Sequence, residues 1–123
     1  MLGTLYGVEE QGLITKKIDG VQVYFSTAPT LSSQVLRGIA QKAGVHMYAS
    51  GDDVLYVNKS FIGILTPRPG KRTLTFPKPT DLYDVYNNKV IATKATKVTL
   101  DLPIRHSLLM FMGTKQEWNA LKK

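Results

Sequence analysis

The stretch of residues 43–57, AGVHMYASGDDVLYV, gathers side chains that acid–base catalysis could use. A histidine and a carboxylate within hydrogen-bond reach can move protons to and from a substrate. We expect strands at 45–49 and 53–58, joined through a turn at 50–52, so that neighbouring side chains point to opposite faces. Asp52 and Asp53 then point apart and accept backbone hydrogen bonds at the turn. The stretch is therefore predicted to be structural.

Glycoside hydrolysis would need two carboxyl groups, roughly 5 Å or roughly 6.5–9.5 Å apart. The glutamates, Glu9, Glu10 and Glu117, lie near the two ends of the chain. Asp81 and Asp84 are three residues apart on one predicted strand, so they project to opposite faces. No convincing acid–base pair emerges, and we assign no catalytic residue.

Other chemistries leave no signature in the sequence. His46 and His106 lack the spacing of metal ligands, and the chain contains no cysteine. No serine lies in a G-x-S-x-G motif, and the glycines do not form a phosphate-binding loop. Each histidine is predicted to be a hydrogen-bonded or half-exposed strand residue, and neither a metal ion nor a cofactor is expected.

Aromatic side chains are the remaining candidates for binding, because exposed rings can stack on sugars. The carbohydrate-contact candidates are Tyr48, Tyr56, Tyr83, Tyr86 and Trp118. The alternative for each is a core or sheet-edge residue whose polar atom reaches solvent. Trp118 either fastens the tail to the body of the domain or belongs to a contact outside this chain.

The formal charge of +7 is concentrated in the second half of the chain: residues 52–123 carry twelve Lys and Arg against six Asp and Glu. Such a balance can attract nucleic acid or another polyanion. The candidate contacts are Lys71, Arg72, Lys78, Lys89, Lys94 and Lys97. Because the lysines are spread singly, solubilising surface charge is the favoured interpretation and nucleic-acid binding is not expected.

Local signals place a hairpin and a helix in the first third of the chain. Residues 12–26 read as two strands joined at Asp19-Gly20, a dipeptide suited to positive φ angles. Apolar residues at helical spacing then predict an amphipathic helix over about 31–43, capped by Thr30 or Ser32 and ended by Gly44.

From residue 45 onward, the pattern indicates β structure. The predicted strands are 45–49, 53–58, 60–66, 71–76, 81–86, 89–93, 96–102 and 106–112. Asn87-Asn88 suits a two-residue hairpin loop. The unalternating run 107–112 predicts a central strand covered on both sides, or an edge strand in an interface. Residues 114–121 could form a last helical turn capped by Thr114.

The predicted fold is α+β and mainly β: an antiparallel β-sandwich with one helix packed on the sheet or at its end. One domain is expected over 1–123, with a hairpin and helix at 1–44, the sandwich at 45–113 and a tail or short helix at 114–123. No apolar run approaches the ~20 residues of a membrane span, and no signal peptide is visible. We therefore expect no membrane association, and a cytoplasmic location if the chain is complete.

Three segments carry a resemblance that covers about 90 of the 123 residues. They are FSTAPTLSSQVLRGIAQKAGVHMY, DDVLYVNKSFIGIL and GKRTLTFPKPTDLYDVYNNKVI. The run from Tyr24 to Met112 resembles the small β-rich C-terminal domain of bacterial β-galactosidase-like glycoside hydrolases. In that family the catalytic carboxylates lie in an upstream barrel, and no segment of this chain matches that barrel.

The resemblance implies a non-catalytic accessory or interaction domain with a neighbouring glycoside hydrolase domain or subunit as its partner. Contact with glycan and formation of a homo-oligomer are further expectations. The chain could be an excised domain, a truncated relic or a free-standing protein. The alternative function is a small basic domain that binds polyanions or nucleic acid, and an enzyme in its own right is the least favoured hypothesis.

Overall fold

The computed structural model describes residues 3–4, 11–27 and 30–123. It divides the chain into two compact units, Met1–Ala43 and Gly44–Lys123. The protein is α+β and mainly β, as predicted, with antiparallel sheets and two short helices among the described residues. The expectation of a single domain stays a prediction. No helix in the described ranges is long and apolar enough to cross a membrane.

The first unit contains a sheet in the order β1 (Gly3–Thr4), β2 (Gln11–Ile18), β3 (Val21–Ser26). The predicted hairpin is confirmed: Ile18 pairs with Val21, and the turn residues Asp19 and Gly20 have φ angles of 49° and 83°. Positive φ at both positions matches the right-handed twist of the flanking strands.

Helix α1 (Ser33–Lys42) confirms the predicted helix with slightly shorter bounds. The Ser32 hydroxyl accepts a hydrogen bond from the backbone N–H of Val35, so Ser32 is the N-cap. Gly44 follows the helix with φ of 79°, the left-handed conformation that ends helices. No residue of α1 is fully buried, so its packing on the sheet stays a prediction.

The second unit contains a sheet in the order β4, β5, β8, β6, β7. The strands are β4 (Val54–Val57), β5 (Phe61–Thr66), β6 (Gly70–Asp84), β7 (Lys89–Leu102) and β8 (His106–Met112). The first prediction for 107–112 is confirmed, because β8 is central. Leu108 and Met110 lie in one buried cluster and Phe111 in another, so both faces of β8 are covered.

Strands β6 and β7 correct the prediction of four short strands. The segments 71–76 and 81–84 belong to one strand, as do 89–93 and 96–102, whereas residues 85 and 86 of the predicted strand 81–86 lie in the following loop. The β6–β7 register shifts between Thr75 and Thr80, where two prolines interrupt the hydrogen bonding. Residues before and after this bend share one core: Leu74 and Phe76 pack in the same cluster as Leu82 and Ile62. Both halves of β6 therefore contribute to one core.

Two local predictions are wrong in detail. Residues 45–49 do not pair with β4; Ala49 instead forms an isolated bridge with Leu74 of β6. The loop between β6 and β7 spans residues 85–88, not two residues, because Asp84 pairs with Lys89. The Asp84 carboxylate holds this longer loop by accepting hydrogen bonds from the backbone N–H groups of Tyr86 and Asn87, each at 3.0 Å.

Helix α2 (Lys115–Leu121) confirms the predicted C-terminal turn. Thr114 and Glu117 form a capping box, in which the Thr114 hydroxyl accepts from the Glu117 N–H and the Glu117 carboxylate accepts from the Thr114 N–H. The helix buries one side chain, Trp118, against the sheet.

Candidate binding groove

The segment that contains His46 and Tyr48 is fastened to the edge of β6. The His46 Nε2 atom lies 2.8 Å from the Thr75 carbonyl oxygen, and the Thr75 N–H donates to the Tyr48 carbonyl at 2.8 Å. The Thr75 hydroxyl also donates to the Met47 carbonyl, at 3.0 Å. His46 thus has a structural partner, and its ring contacts the Tyr48 ring edge-on at 4.7 Å between centroids.

Asp53 forms an ion pair with Arg72. The Arg72 guanidinium also donates to the Thr66 hydroxyl at 2.8 Å and to the Arg68 carbonyl at 3.0 Å. Thr66 is fully buried. The hydrogen bond from Arg72 lowers the pKa of Asp53 against the opposing effect of burial. This network joins β5 and β6 to the residue that precedes β4. Asp53 and Arg72 therefore both contribute to the stability of the fold.

Three further carboxylates are also occupied by local hydrogen bonds. Asp81 accepts from the Lys94 N–H at 2.7 Å, and Glu117 accepts from Thr114. Burial raises the pKa of Asp84, but hydrogen bonds from Asn87 and Tyr86 and the charge of Lys89 leave it lowered overall. Hydrogen bonds from Thr114 likewise lower the pKa of Glu117, and Lys59 lowers it further.

An open groove of about 990 Å³ lies beside the bend of β6. The turn at residues 58–60, the bend at 76–81, the end of β8 and helix α2 contribute its walls. Side chains with polar groups or rings that line it include Tyr48, Lys59, Lys78, Asp81, Lys94 and Glu117. Because Pro77 and Pro79 carry no N–H, β6 cannot continue its ladder here, and the bend opens the space. We call this space the bend groove.

Hydrogen bonds from backbone N–H groups to side chains hold two walls of the bend groove in place. Asn58 accepts hydrogen bonds from the N–H groups of Ser60 and Phe61 at 2.9 and 2.8 Å, which fixes the turn carrying Lys59. Lys94 has φ of 48° at a register shift of β7, and its N–H binds Asp81. These anchors place Lys59 and Lys94 from distant parts of the chain at one groove.

The five predicted carbohydrate contacts do not share one surface. Tyr48 is half-buried and lines the bend groove. Tyr56 and Tyr86 are 74% and 66% exposed, on β4 and in the β6–β7 loop. Tyr83 and Trp118 are buried, so neither presents a free ring face.

Trp118 fastens the C-terminal helix to the body of the second unit, which is the first of the two predicted alternatives. Its ring stacks on Tyr83 at 5.0 Å and on Phe111 at 5.7 Å between centroids, and Lys122 Nζ lies 4.9 Å from the ring centroid. Burial raises the pKa of the Tyr83 hydroxyl, and the charge of Asp81 raises it further.

The six predicted polyanion contacts are also dispersed. Lys78 and Lys94 line the bend groove, whereas Arg72 is paired with Asp53. The other three are spread along the β6–β7 pair: Lys71 lies opposite Asp101, Lys97 opposite Thr75 and Lys89 opposite Asp84. Of the six predicted contacts, Lys78 and Lys94 are the two that line the same groove.

Sequence reasoning missed Asn58, Lys59 and Asp81 as groove residues. A signal for the groove was present in Pro77-Lys78-Pro79, because prolines inside a strand pattern mark a bulge or bend. The described residues contain no group of three or more His, Asp or Glu side chains that could hold a metal ion. Searches against protein-family models, curated proteins and solved structures found no match to the chain.

Proposed function

We propose that this chain is a non-catalytic accessory or interaction domain related to carbohydrate-active enzymes, and that its bend groove contacts glycan. The observation that carries the proposal is the groove itself: it combines the Tyr48 ring with polar side chains in about 990 Å³. Ligand sites are concave and join apolar surface to a few placed polar groups. A sugar ring presents both an apolar face and hydroxyl groups to such a site.

The carboxylates of the groove support binding rather than catalysis. Asp81 and Glu117 each hold a backbone N–H of the fold. A general acid must carry a proton near neutral pH, and the lowered pKa of Glu117 keeps this group ionised there. Glu117 therefore does not suit the role of the general acid in a glycosidase pair.

An apolar strip on the edge strand β4 and its neighbour β5 supports the accessory role. Val54 and Tyr56 of β4 and Leu65 of β5 are 44%, 74% and 47% exposed. Val54 pairs with Leu65 and Tyr56 with Gly63, so these side chains share one face of the sheet. Exposed apolar surface of this kind suits contact with a neighbouring glycoside hydrolase domain or subunit.

The groove assignment is tested by NMR titration of the intact chain with β-galactosides. We expect shifts at Tyr48, Lys78 and Lys94, and no hydrolysis product after prolonged incubation. Tyr48→Leu should weaken binding by roughly tenfold through loss of ring contact. Tyr56→Ala is the matched control and should bind as the parent chain does. Hydrolysis of the ligand, or shifts confined to Tyr56 and Tyr86, would contradict the proposal.

A further inference from the structure

Three lysines from separate elements line the bend groove: Lys59 from the β4–β5 turn, Lys78 from the bend of β6 and Lys94 from the register shift of β7. All three residues are exposed, so their ammonium groups reach water. None of these ammonium groups forms an ion pair with a residue of the described ranges. The groove therefore holds cations that the fold has not neutralised by direct contact.

The acidic side chains of the same groove balance this charge only in part. Asp81 and Glu117 supply two negative charges against three lysines, which leaves one positive charge. Both carboxylates already accept hydrogen bonds from the backbone of their own wall. A ligand with one anionic group can thus meet free ammonium donors without displacing a structural contact.

We infer that the bend groove selects glycans bearing a carboxylate or sulfate group, which Lys59, Lys78 and Lys94 recognise. This inference rests on the proposed glycan-binding function. A lysine ammonium can donate to a sugar hydroxyl or to an anionic group, but only the anion adds attraction between opposite charges. Tyr48 would contact the sugar ring, and the lysines would bind the charged substituent of that sugar. Salt screens the attraction between the lysines and the anionic group, because the lysines are exposed.

Calorimetric titration of the intact chain at low salt tests the inference with three tetrasaccharides of equal length: neutral galactan, galacturonan and sulfated galactan. We expect at least about a tenfold tighter dissociation constant for an acidic ligand than for the neutral one. Comparing the sulfated galactan with the galacturonan shows whether the groove prefers sulfate or carboxylate. Raising the salt concentration should reduce the preference.

The variant Lys78→Gln with Lys94→Gln should lose that preference, and Lys59→Gln should reduce it. The matched control, Lys71→Gln with Lys97→Gln, removes the same charge from the same two strands outside the groove and should keep the preference. Equal losses of the preference in both double variants would show that it comes from general charge attraction, which would overturn the inference. Equal affinity for neutral and acidic ligands would overturn the inference and leave the proposed function standing. No binding of any tetrasaccharide would overturn both.

Discussion

Several carboxylates of the described residues accept hydrogen bonds from the backbone or from arginine. Asp84 shows the pattern most clearly: it is 3% exposed, and its two oxygens accept from Tyr86 and from the backbone and side chain of Asn87. A buried carboxylate is stable only when hydrogen bonds replace its lost water. Asp53, Asp81 and Glu117 are likewise used in contacts that hold the fold.

Replacing Asp84 should therefore destabilise the fold. Asp84→Ala leaves the donors of the 85–88 loop without their acceptor, and we expect a loss of about 1–3 kcal/mol in the free energy of unfolding, measured by urea denaturation. The control is Asp101→Ala on the exposed face of β7, which should change stability by no more than about 0.5 kcal/mol. Equal effects of the two variants would refute the structural role of Asp84.

Acid should also destabilise the protein. The pKa values of Asp53, Asp84 and Glu117 are lowered in the folded state, so these groups bind protons less readily there than in the unfolded chain. Their contribution is complete above the ordinary values of 3.8 and 4.5 and is lost as pH falls through the lowered values. We expect melting temperatures that are level from about pH 7 to 5 and decline below about pH 4. A flat profile down to about pH 2 would contradict this.

Among the elements, those specified by local chemistry could be predicted. The Asp19-Gly20 turn, the Ser32 cap and the Thr114 capping box each follow from residues within a few positions of one another. The continuity of β6 through its middle could not be predicted, because Pro77 and Pro79 resemble a chain reversal in the sequence. Pairing of both flanking segments with β7 keeps them in one strand. Residues 45–49 likewise alternate as a strand would, but their partner is β6, which lies far along the sequence.

The prolines at 77 and 79 indicate a bend, but the residues that line the bend groove could not be brought together from the sequence, for the same reason. Tyr48, Lys59, Lys78 and Lys94 belong to four segments, and only the long-range pairing of β6 brings them to one space. Periodicity could predict which face each residue occupies on its own strand. It could not predict which faces meet.

Helix α2 should depend on its single buried side chain. Trp118→Ala removes a ring stacked between Tyr83, Phe111 and Lys122, and we expect a loss of about 3–5 kcal/mol in the free energy of unfolding, followed by circular dichroism. Leu121→Ala, at a position 51% exposed in the same helix, is the control and should cost much less. In the parent chain, fluorescence of this sole tryptophan should resist acrylamide quenching. Free quenching would contradict its burial.

At the scale of the whole molecule, the net charge of +7 does not form one patch from the six predicted cations. Arg72 is paired with Asp53, and Lys71, Lys89 and Lys97 have separate cross-strand surroundings. Binding to single-stranded nucleic acid should therefore depend weakly on salt. Three groove lysines predict a slope of about −2 in log affinity against log salt, whereas six joined contacts predict roughly −4. The steeper slope would favour the polyanion-binding alternative.

The central claim is that the bend of β6 creates a glycan-binding groove on a non-catalytic domain. A crystal structure of the chain with a bound acidic galacto-oligosaccharide tests it most directly. We predict intact ligand in the bend groove, with a sugar ring against Tyr48 and the anionic group between Lys78 and Lys94. Ligand stacked on Tyr56 or Tyr86 with the groove empty, or a cleaved product in the groove, would contradict the account.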